Sequence, residues 1–322
     1  MSRSNRAAQG SQTPAPHKKK RPFADETGGV RTGWLLAASL FACAVVALAT
    51  RYGLVRAFGA LFAAWGIDAT NAHLAPAWAQ ALYRWHGSIA TLLYAAALLA
   101  LARWLRRLWV GKGKPVPFSG RHLLNSSLAG LSAALLVAAL CLLPDSLRPQ
   151  WPLTAPRLTW ALVPLLLLSL LVALGEEAVL KRALFDGLRA RWSDLWAAAV
   201  VVAVFFVMNG GYAAGIVGAV NVLLLGIVGC LLYARWGLWA AAGFRWAWSA
   251  ANRFLLGFGG GDSAVYRFYA VSETPLTGGD AGPVCGLWTT LLLAGLIAAL
   301  WRYGRNTRRT PETTRTSKGR SS

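Results

Sequence analysis

Two apolar blocks in this sequence are too long and too free of charge for the core of a soluble domain. Segments 160–175 and 213–234 contain almost no ionisable group, and a transmembrane helix needs about 20 largely apolar residues. In hydrocarbon every backbone polar group must pair within the protein, which makes such blocks helical. Charged residues form only 14% of the chain, against about 25% in soluble domains. The sequence therefore predicts an all-α, polytopic transmembrane helical bundle.

The apolar blocks correspond to about eight candidate spans. Segment 52–72, in which Arg56 precedes Phe58, Phe62 and Trp65, is predicted to be an interfacial helix instead of a ninth span. The predicted spans are 33–50, 87–105, 123–143, 158–175, 195–208, 213–234, 237–256 and 285–303.

The distribution of basic residues predicts that both termini are cytoplasmic. Of the 33 Lys and Arg residues, 25 fall in the two tails and the loops that this orientation places inside, and 6 fall in outer loops. The remaining two, Arg245 and Arg253, lie within a predicted span. Cytoplasmic loops of membrane proteins are enriched in Lys and Arg, so the bias supports an even number of spans in a multi-pass protein of the cell membrane.

The net charge of +21 does not indicate nucleic acid as a partner. The basic residues lie in tails and inner loops, where they set topology and contact anionic membrane lipids. Segments 1–32 and 304–322 are predicted to be disordered basic tails. Between them we expect a region of helices without motifs at 33–157 and a second transmembrane region at 158–303.

No cofactor or metal site is predicted. The four cysteines lie in or beside spans without CxxC spacing, and the four histidines lie in the tail and loops. Neither arrangement gives the ligand spacing of a zinc site. HExxH, P-loop and GxSxG elements are absent from the sequence.

Adjacent carboxylates at Glu176 and Glu177 mark the inner end of the fourth predicted span. Neighbouring helical residues lie about 100° apart, so one carboxylate can face the bundle while the other faces elsewhere. Glu177 and Lys181 have the i, i+4 spacing of a helical ion pair. Two interpretations remain open on these residues alone: an intramembrane site, or a solvated helix end with a local salt bridge.

The seventh predicted span carries polar residues at helical spacing. Arg245, Ser249, Asn252 and Arg253 follow an i, i+4, i+7, i+8 pattern, which we expect to face protein or water instead of lipid. Asn209 and Asn221 add polar groups to the fifth and sixth spans, although a single Asn in a span is often only an interhelical hydrogen bond. Together these residues predict a polar cavity in the inner half of the bundle.

The order of these residues resembles the CPBP (Abi) family of intramembrane proteases, relatives of the type II CAAX prenyl endopeptidases. The similarity extends over about 158–300 and includes a polar span with Asn221 and Tyr233 and the LTGGDAGP stretch at 276–283. The family's first motif, EExxxR, has its counterpart in Glu176–Glu177 with Lys181 in the Arg position. The second, FxxxH, corresponds to Phe205 with Asn209, and the third, HxxxN, corresponds to Arg245 with Ser249.

The resemblance implies a mechanism in which the first glutamate activates water for attack on a peptide carbonyl. In the family a histidine assists the glutamate, and the third motif stabilises the oxyanion. Here Asn209 and Arg245 replace both histidines and Ser249 replaces the asparagine. The order of the family's motif implies that Glu176, and not Glu177, is the base. Supporting roles are expected for Lys181, Phe205 and Asn221.

The replacements predict a degenerate member of the family. Asn209 cannot accept a proton from water, and Arg245 is a permanent cation without an acceptor. Arg245 is also well placed to pair with Glu176, and an ion-paired carboxylate is a weaker base. We expect a protein that keeps the fold while hydrolysis is impaired or lost.

Three functions are compatible with the sequence. The first is an endopeptidase that cleaves a membrane-embedded peptide or protein through Glu176. The second is a non-catalytic membrane protein that binds such a segment in the former active-site cavity. The third, a small transporter, requires paired repeats or broken helices, and the sequence contains none that is convincing.

Overall fold

The computed structural model confirms an all-α bundle. It describes residues 32–68, 70–111, 116–142, 147–149, 156, 158–210, 215–258, 264–270, 275–279 and 282–309. The predicted disordered tails lie outside this part of the chain except for Thr32 and the first residues after 303. Asp280 and Ala281 of the glycine-rich stretch also lie outside it.

Eight main helices occupy the described residues, one at each predicted span. Five are long and apolar enough to cross a membrane, and α5 and the first part of α8 are shorter apolar helices. The helices are α1 Thr32–Ala64, α2 Ala77–Trp109, α3 Gly120–Leu142, α4 Leu162–Arg189, α5 Asp194–Asn209, α6 Gly215–Trp236, α7 Leu238–Ala250 with a π turn at Ala251–Leu255, and α8 Leu287–Arg309.

Two three-residue strands connect the loops at one end of the bundle. Strand β1, Leu147–Pro149, follows α3, and β2, Phe268–Ala270, follows α7. They pair antiparallel, with Arg148 opposite Tyr269. The start of α5 is fixed locally: the Ser193 side chain accepts a hydrogen bond from Trp196 N and so caps the helix, as Ser does at many helix N-termini.

The first helix differs from its predicted bounds. The prediction that span one ends at residue 50 is wrong, because α1 runs without a break to Ala64. The interfacial position predicted for 52–72 stays a prediction. Its π-helical stretch Leu48–Gly53 keeps α-region backbone angles at both ends, and no proline interrupts it. The helix ends where Gly66 adopts a φ of +66°, a conformation that favours glycine.

The fourth helix extends well past its predicted end, and this decides how the glutamate pair is placed. The prediction ended this span at residue 175, whereas α4 continues through a π-helical stretch, Ala178–Phe185, to Arg189. Glu176 and Glu177 therefore lie in the middle of a helix, 3% and 1% exposed. The alternative of a solvated helix end is wrong. Stretches of π-helix occur frequently at functional sites.

Glycines bring the helices around this site into close contact. A Cβ on Gly243 of α7 would lie 2.6 Å from the Leu123 backbone oxygen of α3, and a Cβ on Gly175 of α4 would lie 2.8 Å from Leu98 Cβ of α2. The Ser127 hydroxyl donates to the Gly243 oxygen at 3.2 Å, which joins α3 to α7. Small residues and interhelical hydrogen bonds of this kind are what hold helices together in lipid.

Replacing Gly243 with alanine should therefore destabilise the bundle by about 1–3 kcal/mol, the usual cost of overpacking. The matched control is Gly295→Ala on α8, where an added Cβ meets nothing within 4 Å. Because alanine is favoured over glycine inside a helix by about 0.5–1 kcal/mol, this control should be neutral or stabilising. Thermal melts of the two variants in the same detergent check the prediction, and equal losses would contradict the close α3–α7 crossing.

Candidate active site

The candidate site forms where α4 meets helices from both halves of the chain. Glu176 and Glu177 are adjacent on α4, so their side chains leave the helix about 100° apart. Glu176 reaches Tyr94 of α2, and Glu177 reaches Lys181 one turn later on α4. Arg245 of α7 contacts both carboxylates. Three side chains thus converge on the glutamate pair: Tyr94 and Arg245 from two neighbouring helices and Lys181 from α4 itself.

Both carboxylate oxygens of Glu176 are occupied by protein donors. The Tyr94 hydroxyl donates to Oε1 at 3.0 Å, and Arg245 Nη2 forms an ion pair with Oε2. The pairing of Arg245 with Glu176 that the sequence predicted is confirmed. Charge-assisted hydrogen bonds from a guanidinium are among the strongest in proteins, so this contact defines the position of Glu176.

Glu177 is held between two cations. Arg245 Nη1 lies 3.3 Å from its Oε1, and Lys181 Nζ lies 3.2 Å from its Oε2. The Lys181 side chain is fully buried, and Gly229 of α6 leaves the room for it, because a Cβ at 229 would lie 3.2 Å from Nζ. The ion pair between Glu177 and Lys181 that the i, i+4 spacing predicts is therefore present, and it is buried.

A third helix supports the two cations from the other side. The Asn209 side-chain oxygen accepts a hydrogen bond from Arg245 Nη2 at 3.0 Å, and its amide donates to the Phe205 backbone oxygen. The Phe205 ring centroid lies 4.8 Å from Arg245 Cζ and 5.1 Å from Lys181 Nζ. Cations within about 6 Å of an aromatic ring are attracted to its face. Phe205 and Asn209 thereby hold both cations near the glutamates.

Among the residues that the structure describes, the charges of this network sum to zero. It contains two carboxylates, Glu176 and Glu177, and two cations, Lys181 and Arg245. Removing one partner from a buried ion pair leaves an uncompensated charge and is strongly destabilising. The four charges are therefore mutually dependent, and none of them is in excess. We call Glu176, Glu177, Lys181 and Arg245 the ion-pair network.

Two predicted site residues lie outside this network. Ser249, one turn beyond Arg245 on α7, is exposed at the surface of the bundle, and a serine side chain is too short to reach the glutamates from there. Asn221 bridges loop and helix instead: its amide donates to the Val284 and Gly286 oxygens at 2.9 Å and its oxygen accepts from the Thr290 hydroxyl. Asn221 thus fixes the entry to α8.

The polar pattern of the seventh span does not face a single cavity. Asn252 is buried and donates to the Trp248 backbone oxygen of its own helix, whereas Arg253 is exposed. The expectation that all four residues of the pattern line one polar cavity is wrong. Only Arg245 reaches the glutamates, because its long side chain crosses from α7 to α4.

Sequence reasoning missed Tyr94. It lies in α2, in the half of the chain without motifs, and a single tyrosine in an apolar span resembles the many aromatic residues at membrane interfaces. Its burial, 4% exposed, and its bond to Glu176 are properties of the α2–α4 crossing. Among the described residues, no three His, Cys, Asp or Glu side chains converge on a metal site.

Comparison with known families supports the assignment made from the motifs. Residues 158–251 match the family described as type II CAAX prenyl endopeptidase Rce1-like. The match covers 94 of the 322 residues, and we refer to this segment as the Rce1-like domain. It contains the ion-pair network, Phe205, Asn209 and Ser249, so the suspected relationship to the CPBP family is confirmed. No curated protein and no solved structure shows significant similarity to the chain.

The Rce1-like domain and the long apolar helices together identify a multi-pass, CAAX-protease-like membrane protein. Tyr94 and the whole of α2 precede the matched segment. Tyr94, which donates a hydrogen bond to Oε1 of Glu176, therefore lies outside the Rce1-like domain.

Proposed function

We propose that this protein is a CAAX-protease-like membrane protein whose glutamates have become part of a structural ion-pair network, so that peptide hydrolysis is impaired or lost. The observation that carries the proposal is the occupation of both Glu176 oxygens, one by Tyr94 and the other by Arg245. A general base needs a free proton-accepting atom within hydrogen-bond reach of the attacking water. Each Glu176 oxygen keeps a second lone pair, so an attacking water would have to share Oε1 with Tyr94 or Oε2 with Arg245.

The residues around Glu176 do not replace the missing base. The Asn209 oxygen already accepts from Arg245, and an amide does not take a proton from water. Arg245 remains protonated in proteins and has no acceptor atom. General acid–base assistance typically contributes about 10²–10⁴-fold to a rate, so its loss would leave little hydrolysis.

A second function, binding of a membrane-embedded peptide or protein segment without cleavage, is favoured by the accessibility of one network residue. The Arg245 side chain is 11% exposed, whereas those of the other three members are 4% exposed or less. Asn209, its hydrogen-bond partner, is half-buried. In this function a bound segment would approach from the side of Arg245 and Asn209, and its carbonyl oxygen would accept hydrogen bonds from their side chains.

The proposal is tested by reconstitution of the full-length protein into liposomes with candidate membrane peptides. We expect wild type and Glu176→Ala to give the same background cleavage, since the wild-type glutamate is not available as a base. Circular dichroism and thermal melts of both proteins establish that the bundle is intact. Cleavage by wild type that disappears in Glu176→Ala would show that the ion-pair network opens during turnover and would refute the proposal.

A further inference from the structure

A cavity of about 380 Å³ lies outside the Rce1-like domain, where the end of α1 meets the start of α2. Trp65 directly follows the last residue of α1, Trp78 lies in the first turn of α2, and both line the cavity. Their ring centroids are 5.2 Å apart and their planes meet at 85°, so the two indoles form perpendicular walls. Pockets for small ligands begin at about 300 Å³, and this cavity has room for a lipid headgroup.

Hydrogen bonds within the α1–α2 connection fix the cavity. Asn71, which lines it, donates from its side-chain amide to the Gly66 oxygen at 2.7 Å and accepts from Asp68 N at 2.8 Å. On the side of α2, the Gln80 amide donates to the Ala75 oxygen at 2.7 Å. The connection is therefore ordered by its own contacts, and a site that is ordered beforehand loses less freedom when a ligand binds.

The electrostatics of the cavity favour a cation. None of the nine residues that line it carries a positive charge. Asp68, next to the lining residue Ile67, accepts hydrogen bonds from Thr70 and from the Asn71 backbone through Oδ1, whereas its Oδ2 has no partner among the described residues. The Thr70 side chain, the Thr70 backbone and the Asn71 backbone lower the pKa of Asp68 through these bonds. The carboxylate therefore stays ionised at neutral pH, with one oxygen available to a ligand.

We propose that this cavity binds the ammonium end of a zwitterionic phospholipid headgroup, with Trp65 and Trp78 as its walls and Asp68 at its rim. Cations are attracted to the faces of aromatic rings, to tryptophan most strongly, and this attraction is used to recognise quaternary ammonium groups such as choline. The charge of Asp68 attracts the same group. A headgroup without an ammonium group gains neither interaction.

The position of the cavity favours a lipid over a free amine. It lies at the ends of two helices that are long and apolar enough to cross a membrane, and tryptophan is enriched at the depth of lipid headgroups. Leu74, which lines the cavity, is 77% exposed, and Leu61, one turn before Trp65 on α1, is also exposed. These leucines supply apolar surface for the acyl chains beside the aromatic walls.

The test is a titration of the full-length protein in detergent with a short-chain phosphatidylcholine, with the melting temperature as the readout. A phosphatidylglycerol of the same acyl length, which lacks the ammonium group, and free choline form the other two arms. We expect phosphatidylcholine to raise the melting temperature most, because a ligand that binds only the folded state stabilises it. An equal effect of phosphatidylglycerol, or of free choline at the same concentration, would overturn the proposal.

Three variants separate this site from a general effect of exposed tryptophans. Trp78→Leu should weaken phosphatidylcholine binding about twofold to fivefold, the value of one cation–π contact. Asp68→Asn keeps the oxygen that accepts from Thr70 and Asn71 and removes only the charge, so it should weaken binding about twofold, and less at high salt. The matched control is Trp160→Leu, which should leave binding unchanged. Trp160 is 93% exposed just before α4, at a helix end that the charge distribution predicts on the same side of the membrane.

The melting temperature of each variant without lipid establishes that it is folded before binding is compared. Asp68 lies in an exposed connection, so Asp68→Asn tests the site even if Trp78→Leu lowers the yield of folded protein. Equal losses in Trp160→Leu and Trp78→Leu, or unchanged binding in Asp68→Asn at low salt, would overturn the proposal.

Discussion

Replacing Arg245 with methionine is expected to lower the free energy of unfolding by about 3–5 kcal/mol. The change leaves Glu176 and Glu177 buried with Lys181 as their one remaining cation, and breaking a buried pair from one side typically costs this much. Methionine keeps most of the apolar contact with Phe205, so the loss reports on charge more than on packing. Thermal or denaturant unfolding in detergent measures the effect.

The geometry predicts which second substitution restores stability. Glu176 has Arg245 as its cation, whereas Glu177 also has Lys181. Adding Glu176→Gln to Arg245→Met leaves the Glu177–Lys181 pair intact and should recover most of the loss. Adding Glu177→Gln instead leaves Glu176 and Lys181 as separate buried charges and should recover little.

This double-mutant comparison is sensitive to the arrangement of the network, because the two glutamines are chemically identical and occupy adjacent positions. Equal recovery by the two would mean that the charges act only through their sum and not through the observed pairs. An Arg245→Met variant as stable as wild type would contradict the buried contacts of Arg245 altogether.

Introducing histidine at both substituted motif positions, Asn209→His with Arg245→His, should produce glutamate-dependent peptide cleavage in liposomes. The first change supplies a proton acceptor beside Glu176, and the second removes the permanent cation from its Oε2. General base help and oxyanion stabilisation each contribute roughly 10²–10³-fold. We therefore expect cleavage at least about 10²-fold above that of wild type.

The control is the same double variant with Glu176→Ala, which should return cleavage to background. Because loss of Arg245 also destabilises the protein, cleavage is compared at equal amounts of folded protein, measured by size-exclusion chromatography. A folded double variant without cleavage would show that the histidine positions are not the main obstacle to hydrolysis. The binding function without catalysis would then be the better account of the Rce1-like domain.

The sequence alone was sufficient for the class of protein and for the four residues of the ion-pair network. Hydropathy located all eight helices because lipid imposes its requirement on each segment separately: every span must be apolar and internally hydrogen-bonded. The motif order identified Glu176, Glu177, Lys181 and Arg245. Scarcity of carboxylates within spans made Arg245 a predictable partner for Glu176, since a buried guanidinium needs an acceptor.

Other features depended on how the helices pack. The burial of the glutamate pair in mid-helix, the bond from Tyr94 and the space for Lys181 opposite Gly229 all follow from helix crossings that hydropathy does not encode. For the same reason Ser249 and Asn221 were assigned to the site although one is exposed and the other fixes a loop.

The physical difference lies in the range of the interactions. Whether a segment spans the membrane depends on its own residues and the lipid around it, so the sequence by itself determined the all-α bundle and the presence of charges inside it. Which oxygen of Glu176 meets which donor depends on contacts of about 3 Å between α2, α4 and α7. Only the tertiary structure brings those helices together, and it alone decided that the glutamates are enclosed in a neutral network.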